Sequence, residues 1–326
     1  MNKSAIYLLS VLSAALAAPH ASAAEYPTRS IRLVVPFAAG GGTDLLARLV
    51  APRLTEVLGQ QVVVDNRGGA GSVIGTEIVA KATPDGYTLG FFDGAFAINP
   101  AINPAINPKM PYDSQKEFSI LTIVATSPTM LVVRSSLPVK TVQDLIAMAK
   151  ASPGKLNFGS AGTNSSGHLT GEMFKAAAGV DIRHVPFKGA GAAITDLIGG
   201  HIDMTYVVPG SVIAYVKAGS MRPLAVSGAK RTPVFPDVPT FESLGLGSVN
   251  PGNFRFLSAP AGVPKAVQQR LVSAMQKLAQ MPDLAQRMAE NSYDPAFISP
   301  PKAREYVLAE MQKWRKVTQQ PGMKVN

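Results

Sequence analysis

From Arg29 onward, short branched apolar runs alternate with longer amphipathic ones, and this alternation limits the fold more than any other feature of the chain. IRLVVPF reads as a strand. After the glycines at 40–42, Leu45, Leu46, Leu49, Val50, Leu54, Val57 and Leu58 recur at helical spacing until Gly59 stops them, with Pro52 inside the helix. QVVVD is the next strand, NRGGAGSVIG leads into a helix that ends near Lys81, and PDG turns the chain into the strand YTLGFF. SILTIVA and MLVVR flank Thr126-Ser127-Pro128, where the chain is expected to cross between domains. Beyond it the pattern restarts: helix TVQDLIAMAKA, strand LNFGSAG, helix HLTGEMFKAAAG, strand RHVPF, helix GAAITDLIGG, strand DMTYVV, helix SVIAYVKAG, strand RPLAVSG. Such a series predicts an α/β protein of two units, each a mainly parallel, doubly wound sheet covered on both faces. In open sheets of that kind ligands bind beyond the carboxyl ends of the strands, where the strand order reverses. That rule points to the loops after VVPF and after NFGS.

Two segments depart from the series. Ala97-Ile98-Asn99-Pro100 recurs at 101–104 and 105–108, and prolines at that density predict a surface loop rather than a regular helix or central strand. After Lys230-Arg231 comes a looser stretch, then the strand FRFLSAP and three helices, of which 264–279 places Val267, Leu271, Met275 and Leu278 on one face. These last elements need a surface to pack on. The expected division is residues 24–125 with 230–326 as lobe I and 126–229 as lobe II.

Composition narrows the class. Of 326 residues 46% are hydrophobic and 16% charged, the balance of a core-rich folded chain. Lys3, an apolar stretch over 5–18 and the small-x-small triplet Ala21-Ser22-Ala23 read as a signal peptide of residues 1–23 that is cleaved on export. There is no cysteine, which removes disulfides, thiolate metal sites and cysteine nucleophiles together. The net charge of +10 is carried by scattered Lys and Arg residues, with pairs only at Lys230-Arg231 and Arg315-Lys316. That density does not predict nucleic-acid binding, and it mildly favours an anionic small molecule.

Enzyme signatures fail on inspection. Gly154-Lys155 is followed by Leu156, so there is no phosphate-binding loop, and in Gly69-Ala70-Gly71-Ser72-Val73-Ile74-Gly75 the third glycine falls one residue late for a dinucleotide fingerprint. Neither a G-x-S-x-G elbow nor an H-E-x-x-H zinc pair occurs. His168, His184 and His201 lie on separate predicted elements, and Asp44, Asp65, Asp85 and Asp203 sit at turns or helix starts, where capping is the usual role. No metal or cofactor is expected. What remains is hydrogen-bond donors: the first turn of a helix has unpaired N–H groups and the positive end of the dipole. Gly40, Gly41 and Gly42 let bare backbone approach a ligand, and GSAGTNSSGH adds the hydroxyls of Ser160, Thr163, Ser165 and Ser166. Either loop alone is also an ordinary tight turn; together, after equivalent strands, they read as an anion cradle without a cation.

The blocks YPTRSIRLVVPFAAGGGTDLLAR, GQQVVVDNRGGAGSVIGTEIVAKATPDGYTL, SPGKLNFGSAGTNSSGHLTGEMFKAAAGVDIRHVPFKG, GHIDM, LAVSGAKRTPVFPDVPTFESLG and APAGVPK resemble the Bug family, extracytoplasmic solute-binding proteins of tripartite tricarboxylate transporters. The resemblance runs from about Tyr26 to Val325. It implies a type II-like periplasmic binding protein fold whose two α/β lobes close on the ligand. It also implies a non-enzymatic, monomeric protein that holds a small organic carboxylate and hands it to membrane subunits of the transporter. Carried over residue by residue, the ligand-binding set is Phe37, Ala39, Gly40, Gly41 and Thr43 in the first loop, Ser160, Ala161, Gly162, Thr163 and Ser166 in the second, with His168 and Phe187. Asp44 is assigned to holding its loop, because a carboxylate repels an anionic ligand. His168 is read two ways, as a donor to the ligand or as an anchor of its helix. Phe187 stands where the family motif has Tyr, and Phe254-Arg255-Phe256 stands where a Trp and a glycine are common. That second departure and the tripled AINP bear on the far end of the pocket. Two other functions compete: a sensor that presents the ligand to a membrane receptor, and a secreted hydrolase with Ser160 or Ser166 near His168.

Overall fold

Leu33 and Val34 are neighbours in the strand Ile31–Val35 (β1), yet they lie in different hydrophobic cores and both are fully buried. Alternate side chains of a strand leave on opposite faces, so β1 must lie inside a sheet covered on both sides. The computed structural model describes residues 26–106 and 110–318; the signal-peptide reading lies outside them.

The chain runs β1, α1 (Gly42–Leu58), β2 (Val62–Asn66), α2 (Val73–Ala80), β3 (Thr88–Asp93), α3 (Ala95–Ile106), β4 (Phe118–Ser127), β5 (Met130–Arg134), α4 (Val142–Ala151), β6 (Asn157–Ser160), α5 (Ser166–Ala178), β7 (Arg183–Pro186), α6 (Ala190–Ile198), β8 (Met204–Val207), α7 (Ile213–Lys217), β9 (Met221–Val226), β10 (Asn253–Pro260), α8 (Lys265–Leu278), α9 (Pro282–Glu290), β11 (Asp294–Ile298) and α10 (Lys302–Thr318). Two sheets result, ordered β11-β4-β10-β3-β1-β2 and β7-β6-β8-β5-β9. The first, with α1–α3 and α8–α10 packed on it, is the framework of one lobe, and the second, with α4–α7, that of the other.

The sheets are mixed rather than mainly parallel. β1 pairs parallel with β2 and β3, and β6 with β7 and β8. β10 and β4 run antiparallel to their neighbours, as do β11 and β5. Apolar patterning reports that a strand is buried but not its direction, and β10 re-enters the first sheet from far along the chain to lie between β3 and β4. β11, the short edge strand that contains Pro295, is not visible in the patterning at all. In both sheets the order reverses at the first strand of a parallel trio, β2-β1-β3 and β7-β6-β8. The loops after β1 and β6 therefore sit at the two switch points.

The AINP repeat is not a surface loop. Residues 95–106 form α3, with Ala97, Ile98, Asn99 and Ile102 buried against α10 and the first sheet. Each proline removes one intrahelical bond, but a spacing of four stacks the losses in one row and stacks Ile98 over Ile102 in another. Burial of that apolar row outweighs two missing bonds. Asn99 adds a specific tie, donating to the Gly71 carbonyl at 2.9 Å and the Ser72 hydroxyl at 3.2 Å. Residues 107–109, in and just beyond the third copy, fall outside the described residues.

An aromatic cluster packs beside β10 and β3. Phe256 on β10 stands edge-on to Phe92 and Phe96, with ring centroids 5.6 and 5.2 Å away, and all three are buried. Phe256→Ala should cost about 3–5 kcal/mol through the lost burial and the cavity it leaves. Denaturant unfolding monitored by circular dichroism checks this.

Candidate functional site

The loop after β1 is built to leave its helix start uncapped. Gly41 precedes α1 in an extended conformation, and no side chain caps the helix, so the N–H groups of Gly42, Thr43 and Asp44 have no intrahelical partner. Asp44, buried in the first turn, turns back to accept from the Gly40 N–H at 3.0 Å and from Asn66 Nδ2 at 2.9 Å. Asn66 Nδ2 also donates to the Phe37 carbonyl at 3.0 Å. Asp44 thus holds the loop. Across the cleft, Ser165 caps α5 by accepting from the His168 N–H at 3.3 Å, which leaves the N–H groups of Ser166 and Gly167 open.

The lobes meet where side chains are absent. The Ala38 N–H donates to the Lys188 carbonyl at 3.1 Å. A Cβ on Gly189 would come within 2.7 Å of the Ala38 nitrogen, and one on Gly191 would overlap the Ala39 carbonyl oxygen. Gly71, with φ of +59°, lies so close to the Thr163 carbonyl that a Cβ there would overlap its oxygen. Between these contacts is a cavity of about 50 Å³ lined from both lobes. Gly41, Gly42 and Thr43 from the start of α1 and Ser165, Ser166 and Gly167 from the start of α5 face it, with Asp93, Asn253 and Arg255 from the strands of the first sheet. Both helix starts therefore bring positive dipole ends to one small volume.

The cradle is not cationless. Arg255 is 2% exposed and lines the cavity. Its Nη1 donates to Ser127 Oγ, its guanidinium lies 5.6 Å from the Tyr293 ring centroid, and its Nε has no hydrogen-bond partner. Tyr293 in turn donates to the Gly42 carbonyl at 2.5 Å, linking this cation to the start of α1. Asp93 pairs with Arg255 in the strand register, so the two side chains share a face. Burial raises the Asp93 pKa, and the nearby Arg255 charge opposes that rise. No ion pair joins them among the described residues. The Asp93 oxygens are instead engaged by the Thr43 hydroxyl at 3.2 Å and the Ala95 N–H at 2.9 Å. The sequence marks Phe254-Arg255-Phe256 as bearing on the pocket but leaves Arg255 out of the ligand-binding set, because a lone arginine in a strand resembles a surface residue; the apolar neighbours on either side, in a strand that is buried end to end, are the signal that it is not one.

The predicted residues fall into three groups. Phe37, Gly41, Thr43, Ala161 and Ser166 line the cavity, and Ser166 Oγ is buried without a partner. Ala39 and Gly40 abut α6 at Gly191, while Gly162, Thr163 and Phe187 line a separate opening with Ala70, Gly71 and Lys188 where the lobes meet. Ser160 and His168 turn away from the cavity. The Ser160 oxygen accepts from the Gly162 N–H at 3.1 Å and lies 2.6 Å from His184 Nε2. His168 Nδ1 accepts from the Asn164 N–H at 3.1 Å, and its ring stacks on His184 at 4.0 Å. Both imidazoles are held neutral chiefly by desolvation, with pKa pushed down to about 3 for His168 and about 4 for His184. Ser160 and His184 make a serine–histidine contact, but a hydroxyl 1% exposed and committed to its own loop beside so weak a base is placed for support rather than attack.

Two α/β lobes closing on a small cavity between two helix starts define a solute-binding protein of the periplasmic type. Residues 46–323 match the tripartite tricarboxylate transporter family receptor model. The chain is 33% identical over 315 residues to Protein BugT of Bordetella pertussis, which spans 97% of this chain and 96% of that protein. The solved periplasmic binding protein BugD is 31% identical with a TM-score of 0.86, over 91% of this chain and 99% of that one. The structure of Rpa4515 from R. palustris with adipate is 35% identical with a TM-score of 0.85, over 90% of this chain and 97% of that one. This chain belongs to the tripartite tricarboxylate transporter receptor family, among its Bug-type members.

The histidine pair makes acid sensitivity predictable. The unfolded chain binds protons near pH 6.5 and the folded one only near pH 3–4, so their stabilising contribution is complete above about 6.5 and declines as pH falls toward 4. The melting temperature should drop across that window, and His168→Gln/His184→Gln should flatten the slope; thermal unfolding at stepped pH checks both.

Proposed function

We propose that this protein is the solute-binding receptor of a tripartite tricarboxylate-type transporter, which captures a small organic carboxylate between its lobes in the periplasm and, as a monomer, presents it to the membrane subunits. The observation that carries this reading is the convergence of two open helix starts and a buried guanidinium on one cavity shared by both lobes. A hydrogen bond to a charged group contributes about 1.5–3 kcal/mol, so several of them, less the costs of ordering and desolvation, support affinity of about micromolar or better. The relative solved with adipate supports a carboxylate as the ligand class. Gly41, Thr43 and Ser166, at the two helix starts, are the proposed ligand contacts, with Phe37 and Ala161 as apolar walls. Ala39, Gly40, Gly162, Thr163 and Phe187 then form the closing rim, and Ser160 and His168 hold the second loop from behind.

A thermal-shift screen across aliphatic and aromatic carboxylates tests this. A true ligand at about 100 times its Kd adds about 2.7 kcal/mol of stability, with no turnover of the compound. Gly41→Leu should leave the lobe folded, because φ there is an ordinary −87°, yet block closure, because the new Cβ lies 3.2 Å from the Ala190 Cβ across the cleft. Loss of the ligand-induced shift in a variant of unchanged secondary structure is the expected result. An undiminished shift would remove the assigned site.

A further inference from the structure

Lys230 and Arg231, the first of the chain's two basic pairs, do not line the cavity in the cleft. They line a second cavity of about 550 Å³, a volume ordinary for a small-molecule site. Its walls are the segments on which the lobes must turn. The chain leaves the first sheet at Ser127 and enters the second at Met130, and it returns between Val249, in a core of the second lobe, and Asn253, where β10 begins. Pro128 from the first crossing and Asn250 and Gly252 from the second face this cavity, and Ser292, Tyr293 and Asp294 from the corner between α9 and β11 close it.

The two cations are exposed, and neither has an ion-pair partner among the described residues. Arg231 spends one N–H on the Pro236 carbonyl at 3.0 Å, and Lys230 makes no hydrogen bond. Asp294 is the only carboxylate of the lining. An ammonium beside the remaining donors of a guanidinium suits an anion with several acceptor oxygens and two charges, which is the chemistry of a phosphate. Pro128, Pro233 and the Tyr306 ring offer apolar surface to the organic part of a phosphate monoester.

This cavity shares a wall with the one in the cleft. Asn253 lines both. Ser127 lines the hinge cavity and accepts from Nη1 of Arg255, which lines the other. Tyr293 lines the hinge cavity and donates to the carbonyl of Gly42, at the start of α1 in the cleft. The corner that carries Tyr293 also reaches across the lobes, since a Cβ on Gly210 would stand 2.4 Å from the Asn291 carbonyl oxygen. Thr232, next to the basic pair, is joined to Ser292 of the same corner by a hydroxyl contact of 2.7 Å. An anion held by Lys230 and Arg231 therefore bears on both crossings and on the corner in the arrangement they take while the lobes are together.

We propose that the hinge cavity is an effector site for a small phosphate-bearing anion, and that its occupation favours the closed lobes and so tightens ligand binding in the cleft. Such coupling is reciprocal, so the cleft ligand must raise the affinity of the hinge site by the same factor. The site is independent of what the cleft holds, while the coupling rests on the carboxylate-receptor reading above.

Isothermal titration with inorganic phosphate and with glycerol 3-phosphate, at an ionic strength held constant with sodium chloride, tests the site, and the two arms separate the free ion from its monoester. At least one should bind the wild-type protein saturably and bind Lys230→Ala/Arg231→Ala about tenfold or more weakly. Because both side chains are exposed, the double variant should keep the wild-type melting temperature in the absence of phosphate. With the cleft saturated by a carboxylate from the thermal screen, the phosphate compound should bind about threefold or more tightly, and the double variant should lose that gain. Absence of binding by both compounds, or binding that survives the double substitution, would overturn the site. Displacement of the phosphate compound by the carboxylate would place it in the cleft and overturn the site as well, and an unchanged affinity would overturn the effector role. Those failures leave the carboxylate reading standing. A thermal screen without a hit removes that reading and the coupling with it, while the direct titrations still decide the site.

Discussion

Bare backbone at the lobe boundary is the constraint on which the rest depends. Ala38 reaches the Lys188 carbonyl only because Gly189 and Gly191 carry no Cβ on the facing turn, and the second contact, Gly71 against Thr163, has the same requirement. Each approach brings a helix start into the cleft with no side chain in front of it. The glycines at 40–42 then serve two purposes at once: Gly40 takes a left-handed φ of +86° to complete the turn, and Gly41 and Gly42 let the opposite lobe come close. A cavity of this kind exists only while the lobes are together. Ligand capture and domain closure are consequently one event energetically, with each ligand contact on one lobe drawing the other toward it.

The electrostatics of the cavity follow from that closure. Helix dipoles and a guanidinium act most strongly where water is excluded, and both helix starts and Arg255 become dry together. Around them the protein has spent side chains on positioning. Asp44 ties the first loop to Asn66, Asp93 fixes Thr43 and the start of α3, and His184 with His168 backs the second loop. None of these groups needs to touch the ligand to matter for binding, since a loop that wandered would misdirect its N–H groups.

Much of this was legible in the sequence, and the exceptions have physical causes. Strand and helix positions followed from the period of apolar residues, and the two loops that meet at the cavity followed from their place after the first strand of each series. Strand direction was not legible, because an internal strand such as β10 carries the same apolar run whichever way it points. Proline spacing misled at α3: propensity counts each proline as a broken bond, whereas burial of Ile98 and Ile102 is a tertiary gain that local reasoning cannot see. Within the site, a glycine loop declares where backbone is exposed but not which of its residues face inward. Ser160 and His168 carry suitable chemistry and turn away, while Arg255 sits 95 residues from Ser160 in sequence and is brought to the cavity only by the late return of β10.

A crystal structure of the protein with the tightest-binding carboxylate from the thermal screen would test the central claim most directly. The account predicts one acid group between the N–H groups that open α1 and those that open α5, with the lobes joined through Ala38 and Lys188 as they are here. Density for the ligand elsewhere, or an acid group in the cavity out of hydrogen-bond reach of both helix starts, would contradict it.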